Sequence, residues 1–178
     1  GALWTTQQVA AQAAGLPGAQ RRFTGSRQVG EQPGLTFPVT MWMFDNPAPV
    51  NLDRWELRIH GAVAQEKSLT YPEILAAATT NLRATLDCTG GWYTTQTWQG
   101  ISLAALLDQV QPAANAVAVR FVSSTGYRWS LPLAEAQATI LATHVNGELL
   151  THGHGAPLRL VVPGRRGFQW VKWVTAME

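Results

Sequence analysis

The chain has 178 residues, of which 46% are apolar and 13% charged, and a formal net charge of +2. That length suits one compact domain with a sizeable core, or such a domain with an unpacked leader. The near-neutral charge excludes a global field that would draw the chain onto nucleic acid, and a single cysteine excludes an internal disulfide. The charged fraction is about half the usual ~25% of soluble proteins. Such a surface is either partly covered by a partner, a cofactor or a neighbouring domain, or carried by Gln, Thr and Asn. No apolar run reaches the ~18 residues of a membrane span, and no signal peptide is visible. The chain starts at Gly1 without a methionine, which reads as an excised or processed piece.

From Gly1 to about Thr36 the sequence is polar, rich in Ala, Gln and Gly, and poorly periodic, so residues 1–36 are expected to be an arm or linker. Within them Gln7 to Ala14 can form a short helix ended by Gly15 and Pro17, and Gly18 to Gly34 reads as extended. Residues 37–178 are expected to be the main domain. It opens on Phe37 to Pro49, apolar and proline-flanked, which reads as irregular chain packed on a core. Trp55, Leu57 and Ile59 alternate with Glu56, Arg58 and His60, the period-two signature of a half-buried strand. Thr70-Tyr71-Pro72-Glu73 is a capping box with Pro in the first turn, opening a helix to about Ala78. Leu82 to Asp87 reads as a strand running into a Cys-Thr-Gly-Gly turn. Ser102 caps a helix from Leu103 to Val110. Val117 to Val122 and Tyr127 to Leu131 read as strands, and Leu133 to Ala138 as a short helix. Ile140 to His144, Leu158 to Val162 and Gln169 to Ala176 complete the strands. Strands outnumber helices without alternating with them, which gives an α+β class with mainly β content in one domain.

Two features carry candidate chemistry. Cys88 ends a strand at Leu86-Asp87-Cys88-Thr89-Gly90-Gly91-Trp92, where the glycines permit a tight turn and close approach of another group. A thiolate there can act as a nucleophile or a soft-metal ligand, whereas a lone cysteine is most often a small core residue. A nucleophile needs a histidine base, for which His60, His144, His152 and His154 are available. His152 and His154 can alternatively share a zinc ion with Cys88. The second feature is the cluster Arg159, Arg165, Arg166 and Lys172, with no acid between Gly155 and Ala176; it reads as an anion site or as a solvated basic turn. No GxSxG, P-loop or strand-borne GxGxxG occurs.

Several segments in order resemble the molybdopterin-binding domain of the sulfite oxidase family of molybdopterin-dependent oxidoreductases, which includes bacterial methionine-sulfoxide reductase catalytic subunits. They are Asp45-Asn46-Pro47-Ala48-Pro49-Val50, Trp55-Glu56-Leu57-Arg58-Ile59-His60-Gly61 and Leu86-Asp87-Cys88-Thr89-Gly90-Gly91-Trp92. Trp98-Gln99-Gly100-Ile101, Gly126-Tyr127 and Ser130-Leu131-Pro132-Leu133 follow. The series ends with Val145-Asn146-Gly147-Glu148, His154-Gly155-Ala156-Pro157-Leu158-Arg159-Leu160, Val162-Pro163-Gly164-Arg165-Arg166-Gly167 and Trp170-Val171-Lys172-Trp173. Together they cover about Phe37 to the C-terminus.

The resemblance implies mainly β mixed sheets with short helices, holding one pyranopterin whose dithiolene sulfurs bind molybdenum. It implies that Cys88 is the protein thiolate on the metal. His154 and Arg159 would contact the pterin and its phosphate, with Trp170, Val171 and Lys172 as a second binding segment and Ser123 and Asn46 as further contacts. Where sulfite oxidases carry arginines after the cysteine, this chain has Trp92 and Tyr93; where they carry Arg-Asn-His it has Asp45-Asn46-Pro47. A dianion such as sulfite needs compensating cations, so the expected substrate is a larger, neutral or weakly charged molecule, such as a sulfoxide or N-oxide, resting against Trp92, Tyr93 and Tyr127. Two-electron oxo transfer at a Mo–Cys88 centre is the expected reaction, and a non-catalytic binding module that keeps the fold is the alternative. Electrons would pass to or from a separate haem protein or quinone-linked membrane subunit. The resemblance further implies a periplasmic or extracytoplasmic location, with a membrane or electron-transfer portion beyond residues 1–36.

Overall fold

The computed structural model describes residues 21–29, 37–41 and 45–178; the expected helix from Gln7 to Ala14 lies outside them. Two sheets carry the architecture, with few and short helices. The strands are β1 (Arg27–Gln28), β2 (Glu56–Ile59), β3 (Lys67–Thr70), β4 (Thr80–Cys88), β5 (Trp92–Ser102), β6 (Ala118–Ser123), β7 (Arg128–Pro132), β8 (Ile140–Val145), β9 (Glu148–Leu149), β10 (Arg159–Val161) and β11 (Val174–Met177). The helices are α1 (Tyr71–Ala77), α2 (Leu103–Val110) and α3 (Leu133–Ala136), with 3₁₀ turns at His152–His154 and Gly167–Gln169. This mainly β mixture is the class the sequence predicts.

The first sheet is built on β5. Its whole length pairs antiparallel with β4, from Thr80 opposite Gly100 to Cys88 opposite Trp92. Its other edge is shared, with β1 parallel to it at Trp92 and Tyr93 and β8 antiparallel to it from Trp98 onward. β8 then pairs with β10 and β9. The second sheet runs β3-β2-β11-β6-β7, with β11 parallel to β2 and the other neighbours antiparallel.

Local chemistry explains the elements that periodicity predicts. In β2 Leu57 and Ile59 are buried while Glu56 and Arg58 are exposed. At the start of α1 the Glu73 carboxylate accepts from the Thr70 amide at 2.8 Å and the Thr70 hydroxyl at 2.6 Å, with Pro72 in the first turn. Ser102 sits at the N-cap of α2 without a side-chain cap bond; the Leu103 amide instead donates to Thr139 O at 3.1 Å. Leu103, Leu106, Leu107 and Val110 make the buried stripe of α2.

Several elements differ from the sequence expectation, which had no strand at β3 or β9. The longest strand, β5, was not expected, because Thr94 and Gln96 are buried polar residues that break the apolar alternation. The stretch from Gln169 to Ala176 is a strand only from Val174, since residues 167–169 form a 3₁₀ turn. The part of the expected arm at 21–29 packs onto the domain, with the Arg27 amide donating to Gly91 O at 2.9 Å and the Val29 amide to Tyr93 O at 2.8 Å.

Candidate functional site

The β4–β5 hairpin, the 3₁₀ turn at His152–His154, β10 and the segment after Gly167 converge on one cavity of about 720 Å³. Its wall includes Cys88, Trp92, Ser123, Tyr127, His154, Arg159, Trp170, Val171 and Lys172, together with Phe37, Thr40, Asp45 and Phe168. Eight of the ten expected site residues therefore face one space.

Cys88 closes β4 and is 8% exposed. The Gly90 amide donates to its Sγ at 3.3 Å, and Thr40 Oγ1 lies 3.5 Å from the same sulfur. Because β4 and β5 pair in register, Cys88 stands opposite Trp92 and shares its face, while Asp87 and Tyr93 share the other. This alternation explains why Trp92 lines the cavity and Tyr93 does not. Tyr93 is buried beneath the Arg22 guanidinium, 5.6 Å from its ring centroid. Asn46 is exposed and also lies outside the cavity wall.

Arg159 is 3% exposed and packs against two indoles that touch each other, its guanidinium carbon 5.5 Å from the Trp98 ring and 5.8 Å from Trp170. Its Nη1 donates to His154 O at 2.9 Å, while the buried Nε has no protein partner. Burial pulls its pKa down to about 10, against an opposing pull from Cys88. Lys172 Nζ donates to Thr40 O at 2.7 Å and Gly153 O at 2.6 Å. Burial, and then repulsion from Arg159, lower its pKa to about 7 against the attraction of Cys88 and Asp45. One buried and one half-buried cation, with no carboxylate bonded to either among the described residues, is a costly arrangement that an anion would relieve. The residues present therefore fit a phosphate-bearing cofactor beside a thiol.

His154 is 4% exposed. Its Nε2 faces Phe37 O at 3.1 Å, an atom that only accepts, so Nε2 carries the proton. Nδ1 then accepts from Thr151 Oγ1 at 2.7 Å. Burial lowers its pKa, against the raising hydrogen bond to Phe37 and helped by Arg159 and Lys172. His152 instead stacks on Trp173 with ring centroids 5.4 Å apart. Among the described residues no group of His, Cys, Asp or Glu is placed to hold a metal ion, so the His152–His154–Cys88 zinc alternative finds no geometry.

At the mouth, Tyr127 Oη donates to Phe168 O at 2.8 Å, and burial followed by the nearby Asp45 raises its pKa. Ser123 Oγ accepts from Thr125 Oγ1 at 3.1 Å, and both residues face the cavity. Arg165 points elsewhere, held by Glu135 through two bonds of 2.6 Å. Phe37, Thr40 and Phe168 are wall residues that sequence reasoning missed; the apolar, proline-flanked Phe37 segment was the available signal.

Comparison with known proteins adds an independent finding. The family model described as the oxidoreductase molybdopterin binding domain matches residues 44–178. The chain is 32% identical over 159 residues to the protein-methionine-sulfoxide reductase catalytic subunit MsrP of Gluconobacter oxydans, covering 78% of this chain and 49% of that one. It is 27% identical over 146 residues to the uncharacterized oxidoreductase YuiH of Bacillus subtilis, covering 80% of this chain and 73% of the other. Among solved structures, the sulfane dehydrogenase SoxCD of Paracoccus pantotrophus superposes with a TM-score of 0.68 at 25% identity, over 72% of this chain and 39% of that chain. The chain thus spans about half the length of the MsrP relative it matches.

Proposed function

The chain belongs to the oxidoreductase molybdopterin binding domain family, and from that premise we propose that it is the molybdenum-pterin domain of an enzyme reducing a neutral oxo donor, a sulfoxide or an N-oxide. The observation that carries the reading is the convergence of Cys88, Arg159 and Lys172 on one cavity walled by aromatic rings. When bound, the molybdenum-pterin group would supply two-electron chemistry and a site for oxygen transfer.

The chain's own residues do the rest. Cys88 offers a soft thiolate ligand, directed into the cavity by the Gly90 amide. Arg159 and Lys172 hold the cofactor phosphate by charge-assisted hydrogen bonds. His154 donates to Phe37 O and fixes the Phe37 segment against the pterin pocket. Ser123, Trp170 and Val171 line the remaining pterin surface. Trp92, Tyr127 and Phe168 form the wall against which substrate rests; Tyr93 and Asn46 have no part in it.

The choice of a neutral substrate rests on charge. Arg159 and Lys172 are the only Arg or Lys among the described wall residues, and both are committed to the phosphate; the remaining charge at the mouth is the Asp45 carboxylate. A dianion would be poorly compensated there. The relative named a methionine-sulfoxide reductase supports the same choice. Electrons would come from a separate haem-bearing or membrane-linked partner, in an extracytoplasmic compartment.

The test is kinetic. Protein made in a host that synthesises the pterin should hold stoichiometric molybdenum and turn over sulfoxide with a reduced dye. A sulfite kcat/KM in the ~10⁴–10⁸ M⁻¹s⁻¹ range of enzymes on their own substrates would refute the substrate assignment. A stable protein that takes up no molybdenum would leave only a binding module.

A further inference from the structure

Immediately behind the cysteine lies a charge network that the cavity does not use. Asp87 precedes Cys88 in β4, so its carboxylate points to the opposite face of the hairpin. It is 3% exposed and has four partners: Ser26 Oγ at 2.7 Å, Thr24 Oγ1 at 2.8 Å, Arg22 Nε at 3.0 Å and Arg166 Nε at 3.6 Å. These come from two distant stretches of chain. Arg166 also reaches the cysteine itself, its Nη2 donating to Cys88 O at 3.3 Å. The next residue, Gly167, approaches so closely that a Cβ there would stand 3.3 Å from Cys88 Cα and 3.2 Å from Asp87 O. On the other side, β1 pairs with Trp92 and Tyr93 and ties Arg27 to Gly91 O. The turn that presents Sγ is therefore fastened from both flanks, and one buried carboxylate joins the two fastenings.

Resting on the reading of Cys88 as the metal ligand, we propose that Asp87 is a positioning residue that sets the direction of the Cys88 thiolate, and that residues 22–29 are part of the catalytic unit. Those residues lie outside the 44–178 stretch that the family model matches. A buried carboxylate with four partners holds its strand end far more firmly than backbone pairing alone. Groups that orient a metal ligand govern activity without touching the metal.

The experiment uses the molybdenum-loaded protein with Asp87→Asn, Asp87→Glu and Ser26→Ala, read by molybdenum content, kcat and KM, and the Mo(V) electron paramagnetic resonance spectrum. That spectrum reports the orientation of the cysteine sulfur at the metal. In Asp87→Asn the expected result is full molybdenum, a shifted spectrum and a kcat roughly tenfold lower at unchanged KM. Asp87→Glu should recover part of both. Ser26→Ala removes one hydroxyl and no charge, and should shift the spectrum in the same direction; it carries the comparison alone if Asp87→Asn does not accumulate. A wild-type spectrum and kcat in the loaded fraction of these variants would overturn the proposal, including the case where only molybdenum content falls. The sulfur count at molybdenum in loaded wild-type and Cys88→Ser protein, measured first by X-ray absorption, reports on the ligand reading alone.

Discussion

The Gly90 amide donates a hydrogen bond to Cys88 Sγ at 3.3 Å across the turn that joins β4 to β5. The bond fixes the sulfur toward the cavity and leaves its remaining lone pairs for a metal. Cys88→Ser keeps the size and the hydrogen bond but offers a hard oxygen donor. The expected outcome is a folded protein that retains much of its pterin and turns over at or near background. Wild-type turnover in steady-state assays would remove Cys88 from the metal.

Arg159 and Arg58 provide a matched comparison. Arg159 is buried in the cavity with an unpartnered Nε, whereas Arg58 is exposed on β2. Charge-assisted hydrogen bonds to a phosphate are worth about 1.5–3 kcal/mol each. Arg159→Ala should lower cofactor affinity by roughly tenfold or more, while Arg58→Ala should leave it unchanged. Equal pterin and molybdenum content in the two purified variants would contradict this map of the phosphate site.

Lys172 predicts a pH dependence of the cofactor-free protein. Its pKa, about 7 in the fold, lies below its ordinary 10.5. Between those values the unfolded chain holds a proton that the folded chain has lost, so stability rises with pH through this window and falls as pH drops toward 7. An anion bound beside Lys172 restores its charge and weakens the effect. The melting temperature of cofactor-free protein should therefore climb from pH 7 to pH 9 more steeply in the wild type than in Lys172→Met. Parallel curves for the two would contradict the burial argument.

Gly100 marks a close approach of β8 to β5. A Cβ there would lie 2.0 Å from Leu141 O and 2.6 Å from Ala142 Cα, at the register shift between the two strands. Backbone cannot step aside as a flexible side chain can. Gly100→Ala should cost about 3 kcal/mol, the upper end of the usual overpacking range, which lowers Tm by several degrees in a protein of this size. An unchanged Tm by calorimetry would show that β8 can shift.

Where residues act through local periodicity or caps, the sequence was readable. Leu57 and Ile59 in β2, the Thr70–Glu73 cap and the apolar stripe of α2 each follow from a few neighbouring residues. What escaped depends on contacts between distant stretches. β5 is not legible because Thr94 and Gln96 are buried polar residues that break its apolar alternation, and β1 exists only through its pairing with Trp92 and Tyr93. The site shows the same division. The cavity gathers Cys88, His154, Arg159 and Lys172 from the motifs that resemble a known family, while Tyr93, expected beside Trp92 as a wall, lies outside the lining. Reading residues 92–98 as a strand would have separated them, since neighbours in a strand face opposite ways. The tie between Asp87 and Ser26 spans 61 positions, and no local pattern announces it.

The central claim is that the Cys88 sulfur binds molybdenum in the cavity that Arg159 and Lys172 make anionophilic. X-ray absorption at the molybdenum edge measures this directly, by counting sulfur neighbours in loaded wild-type protein and in Cys88→Ser. One sulfur neighbour fewer is expected in the variant, with the dithiolene pair retained. An identical sulfur count in the two proteins would contradict it.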